Sequence, residues 1–348
     1  MGNSIYIKKS TKIDSIFLSK DSIFEYGSLE KDNFSTSIKR YPNTENNSNL
    51  SSVLCEIIMS FSVNPKNKQV FEGIKVQGFI NKKEDFKGST TVKIKGQKFT
   101  LPEVNYFPQH FQDFISKSQE ELTKKFKIII QNFRWVYDHE PIHKTNYYSS
   151  YAWSFNLKNW YPLPDGIYAS ANVVNTSNLS EVKNQIIKDL VNKEKNVPEY
   201  HIILSEAKKL FPTSPRSSIV IAVTALEVAT KHCVQHIAPQ TEWLLMNIQS
   251  PPILKIWEDY ITLITTDITY KGHKVKINER LLKDLKKAVF IRNGIVHEGD
   301  KPNKIDSLKR MHVTIKDLLH MIDFYCGHTW ALEYLSDQTK DEILKNEN

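Results

Sequence analysis

Glycine and cysteine are scarce in this chain, and their scarcity excludes several classes of protein. Only 11 of the 348 residues are glycine. No segment matches G-x-x-x-x-G-K-[ST] or G-x-G-x-x-G, the patterns in which glycines let the backbone wrap a phosphate. The three cysteines, Cys55, Cys233 and Cys326, are far apart and form no C-x-x-C pair. We therefore expect neither a disulfide framework nor a structural zinc site, and we expect a reducing, cytoplasmic location.

Long apolar runs are missing as well. No stretch approaches 18 consecutive apolar residues, and the first six residues contain no apolar signal core, so the sequence predicts no membrane span and no membrane partner. Lysine and arginine total 47 against 39 acidic residues, which gives a net charge of +8. A basic excess of this size permits nucleic-acid binding without requiring it, because a lysine-rich soluble protein would show the same excess.

The sequence pattern changes along the chain and predicts an α+β protein. Residues 70–80 and 91–101 partly alternate, as strands do, and residues 110–136 carry apolar side chains at helical spacing. After about residue 178 the apolar spacing is helical almost throughout. We therefore expect a mixed, β-rich N-terminal domain over 1–178, which senses a signal or selects a substrate, an all-α bundle over 179–335, and a polar tail over 336–348.

Residues 146–162 are dense in aromatic side chains and predict strands. Exposed rings of this kind can stack on bases or line a small-ligand pocket near Trp153 and Trp160. The simpler interpretation is ring packing between a sheet and a helix.

The segment 139–143 matches H-E-x-x-H, the zinc-protease pattern. Pro141 fits a helix only in its first turn, which would leave His139 outside the helix. We therefore predict no metal site and no cofactor. Cys233 lies in an apolar helix, and we interpret it as a core residue rather than a nucleophile.

The segment Phe290–Gly299 places an arginine, an asparagine and a histidine at the end of an otherwise apolar helix. Arg292 and His297 are five residues apart, about 140° around a regular helix, so they cannot share one face. A bend near Gly294, or a second chain, would be needed to bring them together. Asn293 and His297 do share a face. From the residues alone, the simpler interpretation of the segment is a helix C-terminus at which His favours the dipole and Gly caps the helix.

These residues resemble the R-x(4–6)-H signature of the HEPN superfamily, in which a polar residue commonly follows the arginine. The helix from Ser217 to Lys231, with its Ala-Leu-Glu step, is similar to the early helices of HEPN bundles. The resemblance covers roughly residues 198–326. The segments around Phe133–Trp135 and Trp160–Pro164 are more loosely similar to the ApeA-like branch.

The resemblance implies a metal-independent endoribonuclease, in which a two-fold homodimer brings two copies of the motif into one cleft. Arg292 would stabilise the phosphorane, His297 would move protons, and Asn293 would orient His297 or hold a phosphate oxygen. Glu227 and Glu298 would support the site. The attacking 2′-hydroxyl would leave a 2′,3′-cyclic phosphate and a 5′-hydroxyl.

Many such proteins are toxins or antiphage effectors, with RNA as the partner and a trigger molecule bound by the N-terminal domain. The alternative is a non-catalytic HEPN module that dimerises and binds RNA or protein. We also expect the surplus apolar surface of the helix from Ser217 to Ile237 to form the dimer interface. The alternative is that the N-terminal domain covers this surface within one chain.

Overall fold

The computed structural model describes residues 4–13, 23–40, 53–76, 90–94, 97–101, 103–138, 147–170, 181–247, 252–298 and 305–344. The chain forms two compact units, Met1–Asn196 and Val197–Asn348. The first is built on an antiparallel sheet and the second is mostly helical. The α+β expectation is therefore confirmed at this level.

The first unit contains a six-stranded antiparallel sheet in the order β2-β3-β4-β1-β7-β8 and a separate hairpin of β5 and β6. Side chains on β1 and β4 alternate between buried and partly exposed positions, which is the period of two expected for a sheet with one face on the core. The strands are β1 (Ser4–Ile13), β2 (Ile23–Tyr26), β3 (Phe34–Arg40), β4 (Val53–Ser62), β5 (Thr90–Ile94), β6 (Gln97–Leu101), β7 (Tyr147–Ser154) and β8 (Tyr161–Ser170).

Three helices accompany this sheet: α1 (Pro65–Val76), α2 (Gln109–Val136) and α3 (Glu181–Asn192). The long helix predicted over 110–136 is confirmed by α2. Its apolar stripe is buried because one face of α2 packs on the strands β1 and β4. The buried residues of that stripe include Phe111, Ile115, Leu122, Ile129 and Phe133.

The strand predicted over 70–80 is wrong, because residues 70–76 belong to helix α1 and the rest lie outside the described residues. The local signals favour a helix start. Asn64 accepts a hydrogen bond from the backbone N–H of Asn67 at 2.7 Å, and Pro65 follows at the first helical position. Phe71 is fully buried, with its ring centroid 4.8 Å from that of Phe111 on α2. The apolar residues of segment 70–76 are therefore explained by the buried face of a helix.

The boundary between the units lies later than residue 178. Helix α3 belongs to the first unit, where it contacts α2 and β2, and the hydroxyl of Tyr26 donates to Asn184 at 3.4 Å. The C-terminal end also differs from the expected polar tail. Residues Asp337–Leu344 form a helix in which Thr339 and Ile343 are buried. Residues 345–348 lie outside the described range.

The second unit is a helical bundle with one short hairpin. Its helices are α4 (Glu199–Leu210), α5 (Pro215–Ile237), α6 (Glu242–Asn247), α7 (Ile253–Lys255), α8 (Thr262–Ile264), α9 (Glu279–Asn293), α10 (Ile305–Tyr325) and α11 (Asp337–Leu344). A π-helical stretch, Ile256–Ile261, joins α7 to α8, and a second, Gly294–Glu298, continues α9. The hairpin pairs β9 (Thr269–Tyr270) with β10 (His273–Lys274). A 3₁₀ helix, Thr329–Tyr334, lies between α10 and α11.

Helix α5 is the central helix of this bundle, packing against α4, α9 and α10. By length and composition alone it could cross a membrane, but core helices of soluble proteins pass the same test. Ten of its residues are buried in the bundle core. We therefore interpret its apolar character as core packing.

Candidate active site at the end of helix α9

Helix α9 is fixed at its start and along one face, which determines where its last turn lies. The side chain of Asn278 caps the helix by accepting from the backbone N–H of Leu281 at 2.8 Å. Leu281, Leu285 and Ala288 are fully buried. The helix packs against α5 and α10. The Arg292 end of the helix is therefore held by the core.

The helix does not remain regular to its end. From Gly294 to Glu298 the backbone is π-helical, with hydrogen bonds that close five residues along rather than four. A π turn accommodates one extra residue, so it reduces the angle between Arg292 and His297 compared with a regular helix. The sequence analysis required a bend near Gly294 or a second chain to bring Arg292 and His297 together. The π-helical stretch begins at Gly294.

Arg292 is held by two neighbours. Its guanidinium donates to the carboxylate of Glu227 on α5, and to the side-chain oxygen of Asn293 at 2.9 Å. The side chains of Arg292 and Glu227 are only 17% and 20% exposed. Partial burial lowers the pKa of Arg292, but an arginine remains charged throughout the physiological range. A guanidinium has five N–H donors, so these two bonds leave donors for an anion.

Asn293 and His297 are both exposed. The expected role of Asn293 was to orient His297 or to hold a phosphate oxygen, whereas its described hydrogen bond is with Arg292. Among the described contacts, none joins His297 to another side chain. His297 thus presents its imidazole to solvent one π turn beyond Arg292. Glu298 is also exposed, at the end of the same turn.

Exposed apolar side chains lie beside these polar groups. Phe290, three residues before Asn293 and therefore its neighbour on the helix surface, is 77% exposed. Val296 is 52% exposed. Both side chains lie within five residues of Arg292 along the chain, and a contiguous exposed apolar patch is typical of a surface that another molecule covers.

The aromatic segment is mainly ring packing. Trp153 is fully buried, and its ring centroid lies 4.9 Å from Tyr161 and 4.8 Å from Phe71. Its ring therefore belongs to the core of the first unit, not to a base-stacking surface. The strands expected over 146–162 correspond to β7 and the start of β8, and the link between them is residues 155–160.

The H-E-x-x-H segment, 139–143, and Gly299 lie outside the described residues. Within the described ranges, no group of three or more His, Cys, Asp or Glu side chains is arranged to hold a metal ion. The interpretation of Cys233 as a core residue agrees with its complete burial.

Sequence reasoning missed a polar cluster between α4 and α10, because its members are more than 120 residues apart. The buried carboxylate of Asp323 accepts from the hydroxyl of Tyr200 and pairs with His201 Nε2, both at 2.7 Å. Burial alone would raise the pKa of Asp323, but the charge and hydrogen bond of His201 hold it well below its ordinary value.

Next to this cluster, the Sγ of Cys326 lies 3.9 Å from Nδ1 of His232. Hydrogen bonding to the thiol of Cys233, helped by His232, lowers the pKa of Cys326. No spacing in the sequence indicates this pair, because Cys233 and Cys326 meet only through the packing of α5 against α10.

No family model, curated protein or solved structure matches the chain.

Proposed function

We propose that the chain is a metal-independent endoribonuclease of the HEPN type, acting as a homodimer. The observation that carries this proposal is the geometry at the end of α9. A guanidinium fixed by Glu227 and Asn293 is followed, after one π turn, by the exposed imidazole of His297. This combination suits a phosphodiester, which needs a cation at its charged oxygens and a group that moves protons nearby.

The reaction uses only the groups of the protein and the RNA. One imidazole takes the proton of the 2′-hydroxyl, and that oxygen forms a bond to the adjacent phosphorus. The bond between phosphorus and the 5′ oxygen then breaks, and the leaving oxygen takes a proton from a second, protonated imidazole. The products are a 2′,3′-cyclic phosphate and a 5′-hydroxyl. In a two-fold dimer the two copies of His297 supply the base and the acid.

Arg292 stabilises the negative charge that builds up on the phosphorane. Its planar fork of donors can bind two oxygens of one phosphate, which a lysine cannot do. Glu227 keeps the fork in a fixed orientation, so little reorganisation is needed when the phosphate arrives. Glu227 is therefore a positioning residue in this proposal.

The dimer is supported by the exposed apolar side chains near the motif. We expected the surplus apolar surface of α5 to form the interface, but the large exposed apolar residues described in the second unit lie on other segments. These residues are Trp243, Leu244, Leu263, Phe290, Val296, Ile305 and Val313. A two-fold axis near Phe290 would cover part of this surface and bring both motifs together.

The direct test of the site uses matched substitutions in the full-length chain. We expect Arg292→Ala and His297→Ala each to abolish cleavage of RNA while leaving the circular dichroism spectrum unchanged. Arg310→Ala and His236→Ala, which alter exposed side chains elsewhere in the same unit, are the controls and retain the activity. Cleavage by His297→Ala at the wild-type rate would show that His297 moves no proton.

The dimer is tested separately. Light scattering at micromolar concentration is expected to give twice the chain mass, and Phe290→Asp is expected to give monomers and to remove cleavage together. A wild-type monomer that cleaves RNA would exclude a composite site. Because such enzymes act on cellular or phage RNA, we also propose that expression of the active protein arrests growth, whereas expression of His297→Ala does not.

A non-catalytic module that binds RNA is the second candidate. It is favoured by one observation: Arg292 is already engaged by Glu227, as in a structural ion pair. This alternative predicts that RNA binds to the dimer and remains intact, which the same incubation detects on a gel.

A further inference from the structure

The first unit contains a polar cleft that the proposed ribonuclease does not use. It has a volume of about 600 Å³, within the range typical of small-molecule sites. Residues of strands β1 and β7 and of helix α2 line it. The three lysines among them are Lys9, Lys124 and Lys127.

Lys9 is unusual because it is buried and pairs with no carboxylate among the described residues. Lys9 is only 6% exposed. Its ammonium group donates hydrogen bonds to the hydroxyls of Tyr151 at 2.8 Å and Thr123 at 3.1 Å. Both acceptors are neutral, and no described acidic side chain lies within ion-pair distance of Lys9. Burial lowers the pKa of Lys9 to about 8, so most of it stays charged at neutral pH.

Neighbouring lysines show what ordinary pairing looks like in this unit. Lys8 pairs with Glu56 at 3.2 Å, and the buried Lys125 pairs with Glu194 at 2.7 Å. A buried ammonium without such a partner is costly. The fold therefore maintains at Lys9 a positive charge that its own described carboxylates do not neutralise.

The other groups of the cleft add donors and positive charge. Lys124 and Lys127 lie three apart on α2, so they are neighbours on its surface, and the charge of Lys127 acts on Lys9. The amide nitrogen of Gln119 is buried and has no hydrogen-bond partner among the described residues. A single acidic residue of the lining, Glu120, leaves an excess of two positive charges.

We propose that this cleft binds a small molecule that carries a phosphate group and is about the size of a nucleotide. The ammonium groups of Lys9, Lys124 and Lys127 neutralise the phosphate, and the amide of Gln119 donates to one of its oxygens. A lysine binds phosphate as a point charge and needs no fixed geometry. The volume of about 600 Å³ is that of a small-molecule site, which favours a compact ligand, and a nucleic-acid strand is the alternative occupant that the experiment tests. The first unit is then a ligand-binding module, and this proposal does not depend on the ribonuclease activity.

The experiment measures binding by isothermal titration calorimetry on the full-length chain. The probes are the four ribonucleoside triphosphates, orthophosphate, and a single-stranded RNA of twelve nucleotides. We expect at least one triphosphate to bind. Lys9→Met is expected to weaken that binding about tenfold or more, as is the double variant Lys124→Glu/Lys127→Glu, because each removes charge-assisted hydrogen bonds. Lys117→Glu, an exposed change on the same helix outside the cleft, is expected to leave it unchanged.

Lys9→Met also distinguishes a binding role from a structural one. The Thr123 and Tyr151 hydroxyls already share a hydrogen bond of 3.0 Å, which remains once the ammonium is gone. A binding role therefore predicts that the variant is at least as heat-stable as the wild type. If Lys9→Met did not fold, the surface double variant would still test the cleft.

Three results would overturn the proposal. The first is that no triphosphate binds at millimolar concentration, and the second is that triphosphates bind equally well to the wild type and to the cleft variants. The third is that the lysines bind only the RNA or only orthophosphate, which would make the cleft a nucleic-acid surface or a site for inorganic anions.

Discussion

Glu227→Gln is the substitution whose effect the structure specifies most fully. It preserves the size of the side chain and removes the charge that faces Arg292. Exposed ion pairs contribute about 0–1 kcal/mol, whereas removing one partner of a fully buried pair costs about 3–5 kcal/mol. The two side chains here are 17% and 20% exposed, and glutamine still offers an oxygen to the guanidinium. We therefore expect the free energy of unfolding to fall by about 1–2 kcal/mol.

The assay is urea unfolding of the full-length chain, followed by tryptophan fluorescence and far-UV circular dichroism. The matched control is Lys287→Gln, which breaks an exposed pair with Asp284 on the same helix, where the lysine side chain is 56% exposed. That control is expected to change the free energy of unfolding by less than about 0.5 kcal/mol. A double-mutant cycle with Arg292→Gln isolates the pairwise energy.

Cleavage supplies the second measurement on the same variant. Because Arg292 remains charged but loses its fixed orientation, Glu227→Gln is expected to slow cleavage of RNA less than Arg292→Ala does. The reasoning is refuted if the coupling energy is below about 0.3 kcal/mol, the level at which independent sites add. The carboxylate would then not hold the guanidinium in solution.

The remaining predictions concern groups inside the fold. Cys326 is expected to react with iodoacetamide with an apparent pKa below the ordinary thiol value. Burial raises the pKa of Cys55 to about 12, so Cys55 is expected to react only after unfolding. Mass spectrometry of timed samples at several pH values checks both expectations. Asp323→Asn is expected to lose stability at neutral pH, and the difference from wild type should shrink as pH falls below about 4, because a carboxylate with a lowered pKa stabilises the fold above its unfolded pKa; urea midpoints across pH 2–7 measure this. Thr230→Val leaves the indole N–H of the fully buried Trp257 without its acceptor at 2.8 Å and is expected to cost about 1–3 kcal/mol in urea unfolding; an unchanged midpoint would contradict it.

Periodicity predicted the helices well where one face is buried. Helix α2 begins and ends within one residue of the predicted bounds, because a long apolar stripe is compatible with no other element. Helix α1 was mistaken for a strand because Val70, Phe71 and Ile74 fit both periods in so short a segment. The sequence did contain the deciding signal, Asn64 followed by Pro65.

Which elements pack against each other was harder to predict than whether a segment is a helix or a strand. Helix α3 was recognised as a helix, but nothing in its sequence indicates that it packs on α2 and β2 of the first unit instead of joining the bundle. The apolar stripe of a helix can pack on either unit, so the sequence pattern of α3 does not determine the domain boundary. The boundary is set by the contacts of α3 with α2 and β2.

The candidate site was visible in part. The spacing of Arg292 and His297 identified the motif and the need for an irregular turn, but the π turn itself and the contact between Arg292 and Glu227, 65 residues apart, come only from the fold. The cleft lined by Lys9, Lys124 and Lys127 could not be predicted from the sequence, because Lys9 and Tyr151 are 142 residues apart and meet through strand pairing.

The central claim is tested most directly by the chemistry of the RNA ends. Purified full-length protein is incubated with RNA of defined sequence in excess EDTA, and the products are separated and their termini identified. We predict cleavage that leaves 2′,3′-cyclic phosphate and 5′-hydroxyl ends and that is absent with His297→Ala. Intact RNA, cleavage that requires added Mg²⁺ or Zn²⁺, or products with 3′-hydroxyl ends would contradict the assignment of Arg292 and His297 as a metal-independent ribonuclease site.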